Sequence, residues 1–407
     1  MPSLVPSADV LIVGGGPAGL TAALALCQRG ASVTVADSLR PPLDKACGEG
    51  LMPDALAELR RLGVELNASD GGIFRGIRFV SYADELSSAD AGVEAAAEAR
   101  FPVRKQAAPE NVSSGLEDAD ALGVKRPLLH QRLVEAAEQA GVRLRWNAPV
   151  ELLPQGTVRV AGEACGYGCL IGADGQASRV RRWAGLDAGS VLSRRFGFRQ
   201  HYRVEPWSDV VEVHWARSGQ AYVTPVADDE VCVATITHQP QNRVDALLAE
   251  LPWLRQRLAG GAELLRTDRE RGALTTTRRL RRVAAGRVAL VGDASGSADA
   301  ITGEGMAMAF RQALLLAESA DTLPLPQALE RYNRLHPAIL HLPQRMAQIM
   351  LLMDRWPVLR RRAIHALAAE PQLFARLLGV HVGAESMGHF AATSGPRLAW
   401  RLAATRA

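Results

Sequence analysis

The feature that most constrains the fold is the run DVLIVGGGPAGLTAALALCQRGASVTVAD, from Asp9 to Asp37. Val10 to Val13 is a short apolar stretch and reads as a buried strand. Gly14, Gly16 and Gly19 follow as G-x-G-x-x-G. A helix is predicted from Pro17 to about Gln28, with Pro17 in the first turn, where a missing N–H costs nothing. Gly30 ends it. Ser32 to Ala36 is a second strand, and Asp37 stands at its end. Gly14 permits the tight turn, Gly16 lets backbone approach a pyrophosphate, and Gly19 lets helix and strand pack closely. The helix start, Pro17-Ala18-Gly19, offers free N–H groups and partial positive charge to that pyrophosphate. Asp37 can accept hydrogen bonds from ribose hydroxyls. Strand, turn, helix, strand and acid in this order predict an adenine-dinucleotide site.

The rest of the chain narrows the choice of dinucleotide. At 407 residues it is long enough for two or more cores, and at 48% hydrophobic it is globular. A net charge of +4 and 5% aromatic residues argue against a nucleic-acid partner. Five scattered cysteines make no disulfide framework and fit a reducing cytoplasm. Cys165 and Cys169 have no second pair or His cluster to complete a metal site, so no metal is expected.

After Asp37 comes Lys45-Ala46-Cys47-Gly48-Glu49-Gly50, a loop whose glycines allow close approach to a ligand. It reads either as a turn with a buried thiol or as a loop facing a redox centre with Cys47 or Glu49. Pro53 opens a helix ending at Gly63. Gly71 to Tyr82 reads as a strand pair, and 83–123 as an exposed excursion. A helix spans Leu128 to Ala140, and Cys169 to Ile171 is a strand running into Ala173-Asp174-Gly175. From Phe196 to Thr237 the pattern alternates and predicts an antiparallel sheet. His201, His214 and Tyr222 lie on it, either facing a pocket or simply packed. Val244 to Leu258 reads as one helix. The arginines from Arg278 to Arg282 read as a solvated face. Val288 to Val291 is a buried strand that ends at Gly292-Asp293. Thr302-Gly303-Glu304-Gly305 then opens a helix, Met306 to Ala320, whose N-terminus can stabilise negative charge in a ring system. The remaining helices carry a basic amphipathic face: Arg360 to Arg362 with Leu351, Leu352, Leu359, Ile364 and Leu367. Packing on the domain is one reading of that face, and peripheral contact with a membrane surface is the other.

Three separated motifs now agree. Gly14–Gly19 with Asp37, Ala173-Asp174-Gly175 and Val291-Gly292-Asp293-Ala294 together resemble the FAD-dependent oxidoreductases of the p-hydroxybenzoate hydroxylase and geranylgeranyl reductase superfamily. The resemblance runs from about Ala8 to Ala320. It implies an α/β chain: a Rossmann-type FAD-binding domain with an inserted antiparallel β-sheet substrate domain and C-terminal helices. The FAD-binding domain takes 1–70, 121–185 and 272–325, the substrate domain 71–120 and 186–271, and the helical region 326–407. It implies that Asp293 holds the ribityl chain, that Arg126 lies near the diphosphate, and that Asp174, Cys47 and Gly48 belong to the cofactor site. The ring is expected beside Gly303, Glu304, Gly305 and Met306.

The reaction is less constrained than the cofactor. Many hydroxylases carry P-x-x-G-x-G-x-N after the GD motif, where this chain has Ala300 and Ala307 at the proline and asparagine positions. Lys45-x-Cys47-Gly48 is closer to the geranylgeranyl reductases. Ala221-Tyr222-Val223-Thr224-Pro225 stands where flavin halogenases carry W-x-W-x-I-P. The resemblance implies an NAD(P)H-driven monooxygenase, working through a flavin hydroperoxide on a small apolar aromatic, polyketide or other secondary-metabolite substrate. The alternative is a reductase of isoprenoid double bonds with Cys47 or Glu49 as proton donor. There is no second G-x-G-x-x-G, so NAD(P)H binds without its own Rossmann half, or a separate protein donates the electrons.

Overall fold

The computed structural model describes residues 8–82, 93–103, 115–260, 263–321 and 323–405. Twelve helices occur among them. They are α1 Pro17–Cys27, α2 Pro53–Arg61, α3 Arg126–Gln139, α4 Arg179–Trp183, α5 Val244–Ala249, α6 Pro252–Ala259, α7 Gly305–Ala320, α8 Leu325–Arg355, α9 Pro357–Ala369, α10 Pro371–His381, α11 Met387–Thr393 and α12 Gly395–Ala404.

A six-stranded sheet has the spatial order Ala284–Ala285, Val288–Leu290, Tyr167–Gly172, Ala8–Val13, Val33–Ala36, Arg143–Arg145. Its pairs are parallel except for the first. Parallel strands are buried on both faces and need apolar runs. Leu11, Ile12, Leu170, Ile171, Ala289 and Leu290 are accordingly almost inaccessible. α1 is apolar on every side because it lies between this sheet and α7, with α3 also against it.

The second sheet has seven strands, in the order Arg271–Leu280, Gly189–Arg203, Glu230–Thr237, Gly219–Ala227, Val211–Trp215, Gly76–Tyr82, Val93–Arg100. All its pairs are antiparallel except Val211–Trp215 with Gly76–Tyr82. The long strand begins at Gly189, earlier than Phe196, because its first half pairs with Arg271–Leu280. That pairing also moves 272–280 out of the cofactor-binding segment to which the sequence assigned it. The basic run is partly absorbed by structure. Arg278 pairs with Asp187, Arg279 donates to Gln344, and Arg282 reaches Glu330. The predicted excursion is corrected in part: Val93–Arg100 is a sheet strand, and Ala121–Gly123 is a strand of a small sheet with Gly50–Leu51 and Gly72–Phe74. Its segments 83–92 and 104–114 lie outside the described residues. The helix expected over Val244 to Leu258 is two, since Pro252 cannot donate to the turn before it.

α9 and α10 pack on the edge strand Val93–Arg100. Ile364, Leu367, Phe374 and Leu378 share a core with Phe79, Val213 and Trp215. The C-terminal helices therefore wall the antiparallel sheet, and Ile364 and Leu367 of the amphipathic face are packed inward. Leu352 stays half exposed. Among the described residues no helix is long and apolar enough to cross a membrane.

Candidate cofactor and substrate site

A single cavity of about 1240 Å³ runs between the two sheets. At one end it is lined by Gly14, Gly16, Pro17, Ala18 and Asp37, then by Arg126 and Asp293, then by Cys47, Gly48, Gly303, Gly305 and Met306. At the other end it opens into an apolar chamber walled by Phe74, Phe79, Val213, Tyr222, Met350 and Phe374.

The glycine loop is built for close approach. A Cβ on Gly14, whose φ is +112°, would stand 2.5 Å from the Ala173 carbonyl oxygen. Nothing lies within 4 Å of a Cβ placed on Gly16, which faces open cavity. Gly19 is not on the wall. It lies in α1, where its Cα must pass the Gly14 carbonyl. α1 has no side-chain cap, so its first N–H groups are available to a ligand. Asp37 accepts from the N–H groups of Gly15 at 2.7 Å and Leu39 at 2.8 Å, which orients its carboxylate on the cavity wall.

Arg126 is placed to meet a bound anion. Its Nε is buried without a partner, and one Nη lies 3.4 Å from the Met306 sulfur. A half-buried guanidinium with no acid paired to it among the described residues suits a diphosphate. α7 also begins uncapped at the cavity, with Gly303 at φ +71°. Asp293 stands beside Lys45, Oδ2 to Nζ 3.3 Å. These residues fit FAD: Asp37 would hold its adenosine, Gly16 and Arg126 its diphosphate and Asp293 its ribityl chain, and Cys47, Gly48 and the start of α7 would border its ring.

Several predicted residues sit elsewhere or are already committed. Asp174 lies on the cavity wall, but its carboxylate caps α4, accepting from Ser178 Oγ at 2.5 Å and from the Arg179 and Val180 N–H groups. Those bonds commit its carboxylate to the loop and the start of α4. His214 is off the cavity. Side chains alternate along a strand, so Val211 and Val213 face the chamber while Glu212 and His214 face the other side. There His214 meets Tyr82 Oη at 2.7 Å and Glu212 at 3.2 Å. Glu304 is 1% exposed and turns into the protein behind the wall formed by its neighbours. Tyr222 does line the chamber, and its hydroxyl donates to the Ile301 carbonyl at 2.8 Å. Burial and the nearby acids raise the Tyr222 pKa, so its phenol stays neutral.

Cys47 and Glu49 also reach the wall, with different chemistry. The Cys47 sulfur accepts from the Glu49 N–H at 3.3 Å, and burial pushes its thiol up, so it stays protonated. Glu49 has φ +60°, a left-handed conformation that costs a non-glycine residue about 1 kcal/mol or more. Its carboxylate holds that geometry. Oε1 accepts from the Arg126 N–H at 2.8 Å and from Arg199 at 2.7 Å, and Oε2 meets His201 Nε2 at 2.6 Å. Burial opposes its charge, but His201, the Arg126 N–H and Arg199 hold the Glu49 pKa below the usual range. Glu49 is therefore ionised at neutral pH and is no proton donor. His201 completes a chain to Asp268, Nδ1 to Oδ2 3.0 Å. Glu49, His201 and Cys232 are close enough to share an ion, but their donors are spent on each other and on Arg199, and burial holds the Cys232 thiol protonated.

Sequence reasoning missed three supports. His130 anchors the Gly15 carbonyl, Nε2 to O 2.8 Å. Buried Arg195 ties Asp299 at 3.3 Å and Gln220 at 2.5 Å, bracing the turn before α7. His381 of α10 joins the cavity wall from the far end of the chain. Of these, only Arg195 carried a signal, at even spacing from Arg199 and His201 along one strand of the antiparallel sheet.

Comparison with known proteins agrees with this geometry. The FAD binding domain family matches residues 7–319. A menaquinone reductase of Mycobacterium tuberculosis is 28% identical over 363 residues, covering 82% of each chain. A 6-methylpretetramide 4-monooxygenase of Streptomyces rimosus is 34% identical over 192 residues, covering 44% of this chain and 41% of that one. Among solved structures, the flavin-dependent brominase Bmp2 has a TM-score of 0.74 at 17% identity and covers 96% of this chain and 99% of its own, a likeness of fold. A Gly14–Gly19 loop, an unpaired Arg126 and two uncapped helix starts on one cavity are what such a cofactor needs, and the chain belongs to the FAD-binding domain family, as an FAD-dependent oxidoreductase.

Proposed function

We propose that the protein is an NAD(P)H-driven monooxygenase that places one atom of dioxygen on an apolar ring substrate such as an aromatic or polyketide metabolite. The balance is RH + O₂ + NAD(P)H + H⁺ giving ROH + NAD(P)⁺ + H₂O. The observation that carries it is the apolar chamber, continuous with the cofactor channel and walled by Phe74, Phe79, Val213, Met350 and Phe374. FAD supplies the activation of dioxygen. The chain supplies orientation, through Arg126 and Asp293, and a chamber that excludes water. The likeness to a 6-methylpretetramide 4-monooxygenase supports this reading.

The reductase reading rests on Cys47. Its protonated thiol faces the cavity, and the longer match is to a menaquinone reductase. One experiment separates the two. Purified holoenzyme is given NAD(P)H and ¹⁸O₂ with aromatic polyketides or prenylated quinones. Oxygen-18 in the product is expected. A product two hydrogens heavier without the label would replace the monooxygenase by the reductase. If NAD(P)H leaves the flavin oxidised, a separate protein is the electron donor.

A reducing, cytoplasmic setting is supported by five free cysteines. We also propose a peripheral contact with anionic lipid. Residues 325–407 carry eleven arginines against four acids. The last turns of α8 expose Arg345, Ile349, Leu352, Arg355 and Trp356 at helical spacing, behind the wall that Met346 and Met350 give the chamber. Vesicles containing phosphatidylglycerol should sediment the protein in low salt, and pure phosphatidylcholine vesicles should not. Equal failure of both would remove the lipid partner.

A further inference from the structure

At the start of α7 sits a pair of buried groups that the cofactor site does not use. Glu304 is the N-cap residue, yet its side chain makes no capping bond. Both carboxyl oxygens are buried without a hydrogen-bond partner. The nearest base is His381, whose Nδ1 lies 3.6 Å from Glu304 Oε2 and is also unpartnered. His381 is on the cavity wall and Glu304 is behind it. The two come from positions 77 residues apart, joined only because α10 folds back over the cavity.

Burial of a carboxyl in this setting favours the neutral acid. Of the other groups that face it, Asp54 of α2 adds negative charge, and Arg311 of α7 is drawn off by its own pair with Asp54. The Thr302 hydroxyl is the one polar group that favours ionisation alongside Arg311. Burial first, then Asp54, raise the Glu304 pKa to about 8. Burial likewise lowers that of His381, so both partners are neutral at pH 7. Neutrality has a consequence for the cavity. The start of α7 carries a partial positive charge of about half a unit, and its free N–H groups belong to Gly305 and Met306 on the wall. An ionised Glu304 at that terminus would cancel this field, and a protonated one leaves it for the ligand.

We propose that Glu304 and His381 are a redox-linked proton pair, with Glu304 kept protonated while the bound cofactor carries negative charge and His381 exchanging that proton with the cavity. Below the pH at which Glu304 ionises, reduction moves no proton onto it. Above that pH, reduction draws one proton from solvent through His381 onto the Glu304 carboxylate. Electrons come from the reductant in both cases. Glu304 is thus a positioning residue, acting on the cofactor through the helix terminus. The inference rests on FAD binding alone, whichever substrate the chamber takes.

The test is the midpoint potential of the holoenzyme against pH, read by spectroelectrochemistry without substrate. The wild-type slope should steepen by one proton per reduction near pH 8, and Glu304→Gln, neutral at every pH, should lose that step. Reduction above the step should also produce a protonated-carboxyl infrared band that Glu304→Gln lacks. Superimposable profiles for the two proteins would overturn the proposal. If Glu304→Gln does not fold, His381→Gln carries the test: the step must move along the pH axis, and an unmoved step overturns the pairing.

Discussion

Replacing Gly19 by valine is expected to give a protein that cannot hold FAD. A Cβ on Gly19 would stand 1.9 Å from the Gly14 carbonyl oxygen and 3.3 Å from the Ala173 Cβ. The first contact sets the Cβ itself against a backbone carbonyl, so no rotamer change relieves it. Helix α1 must move off the strand Ala8–Val13, and the loop that carries Gly14 and Gly16 moves with it. Overpacking of side chains costs about 1–3 kcal/mol, and this clash belongs at the upper end. The flavin-to-protein ratio after gel filtration should fall close to zero. Gly16→Ala is the contrasting variant. Its Cβ meets no protein atom within 4 Å and points into the cavity. Stability should change by no more than about 1 kcal/mol, the scale of an N-cap change, while FAD affinity falls. Stoichiometric flavin in Gly19→Val, or equal affinity in Gly16→Ala, would contradict the pyrophosphate site.

Arg199→Leu should be the most destabilising change outside the glycine loop. Arg199 is 1% exposed and holds three acids: Glu49 at 2.7 Å, Asp268 at 2.8 Å and Asp44 at 3.1 Å. Removing one partner of a buried ion pair leaves an uncompensated charge and costs about 3–5 kcal/mol. Its pH dependence follows from the neighbours. The Glu49 pKa is lowered on folding, so its contribution is present above its ordinary value of 4.5 and lost as pH falls through the lower folded value. The His201 pKa is raised by Glu49 against the opposing effect of burial, so its contribution is present below 6.5 and lost as pH rises through the higher folded value. Wild-type stability from this cluster is therefore fullest between 4.5 and 6.5. In Arg199→Leu the deficit should be large at neutral pH and shrink in acid, where Glu49 protonates. Denaturant midpoints across that range measure it. A deficit independent of pH would show that lost packing, not the buried charge, dominates.

How much of the site was legible depends on how far apart its parts lie in the chain. The Gly14–Gly19 loop and Asp37 are built from adjacent residues whose conformation is local, so spacing alone predicts them. Asp293 and Gly303 follow from a strand, a glycine loop and a helix start in one short run. Glu49 was read as a candidate acid because loop chemistry favours it. Its partners Arg199 and His201 lie about 150 residues on, and they convert it from a donor into a fixed anion. His214 and Val213 are neighbours in sequence, and period two says only that they face opposite ways. Which one meets the chamber depends on which face the C-terminal helices cover.

The amino-acid sequence by itself determined the dinucleotide-binding unit and the antiparallel sheet, because both are set by short-range periodicity, turn chemistry and helix-terminus charge, while FAD followed from the resemblance that three separated motifs carry. The tertiary structure decided which carboxyl groups are ionised, which side chains line the chamber, and that α8 and α10 close it. Those properties come from burial and from contacts between residues far apart in the chain, which no local pattern encodes.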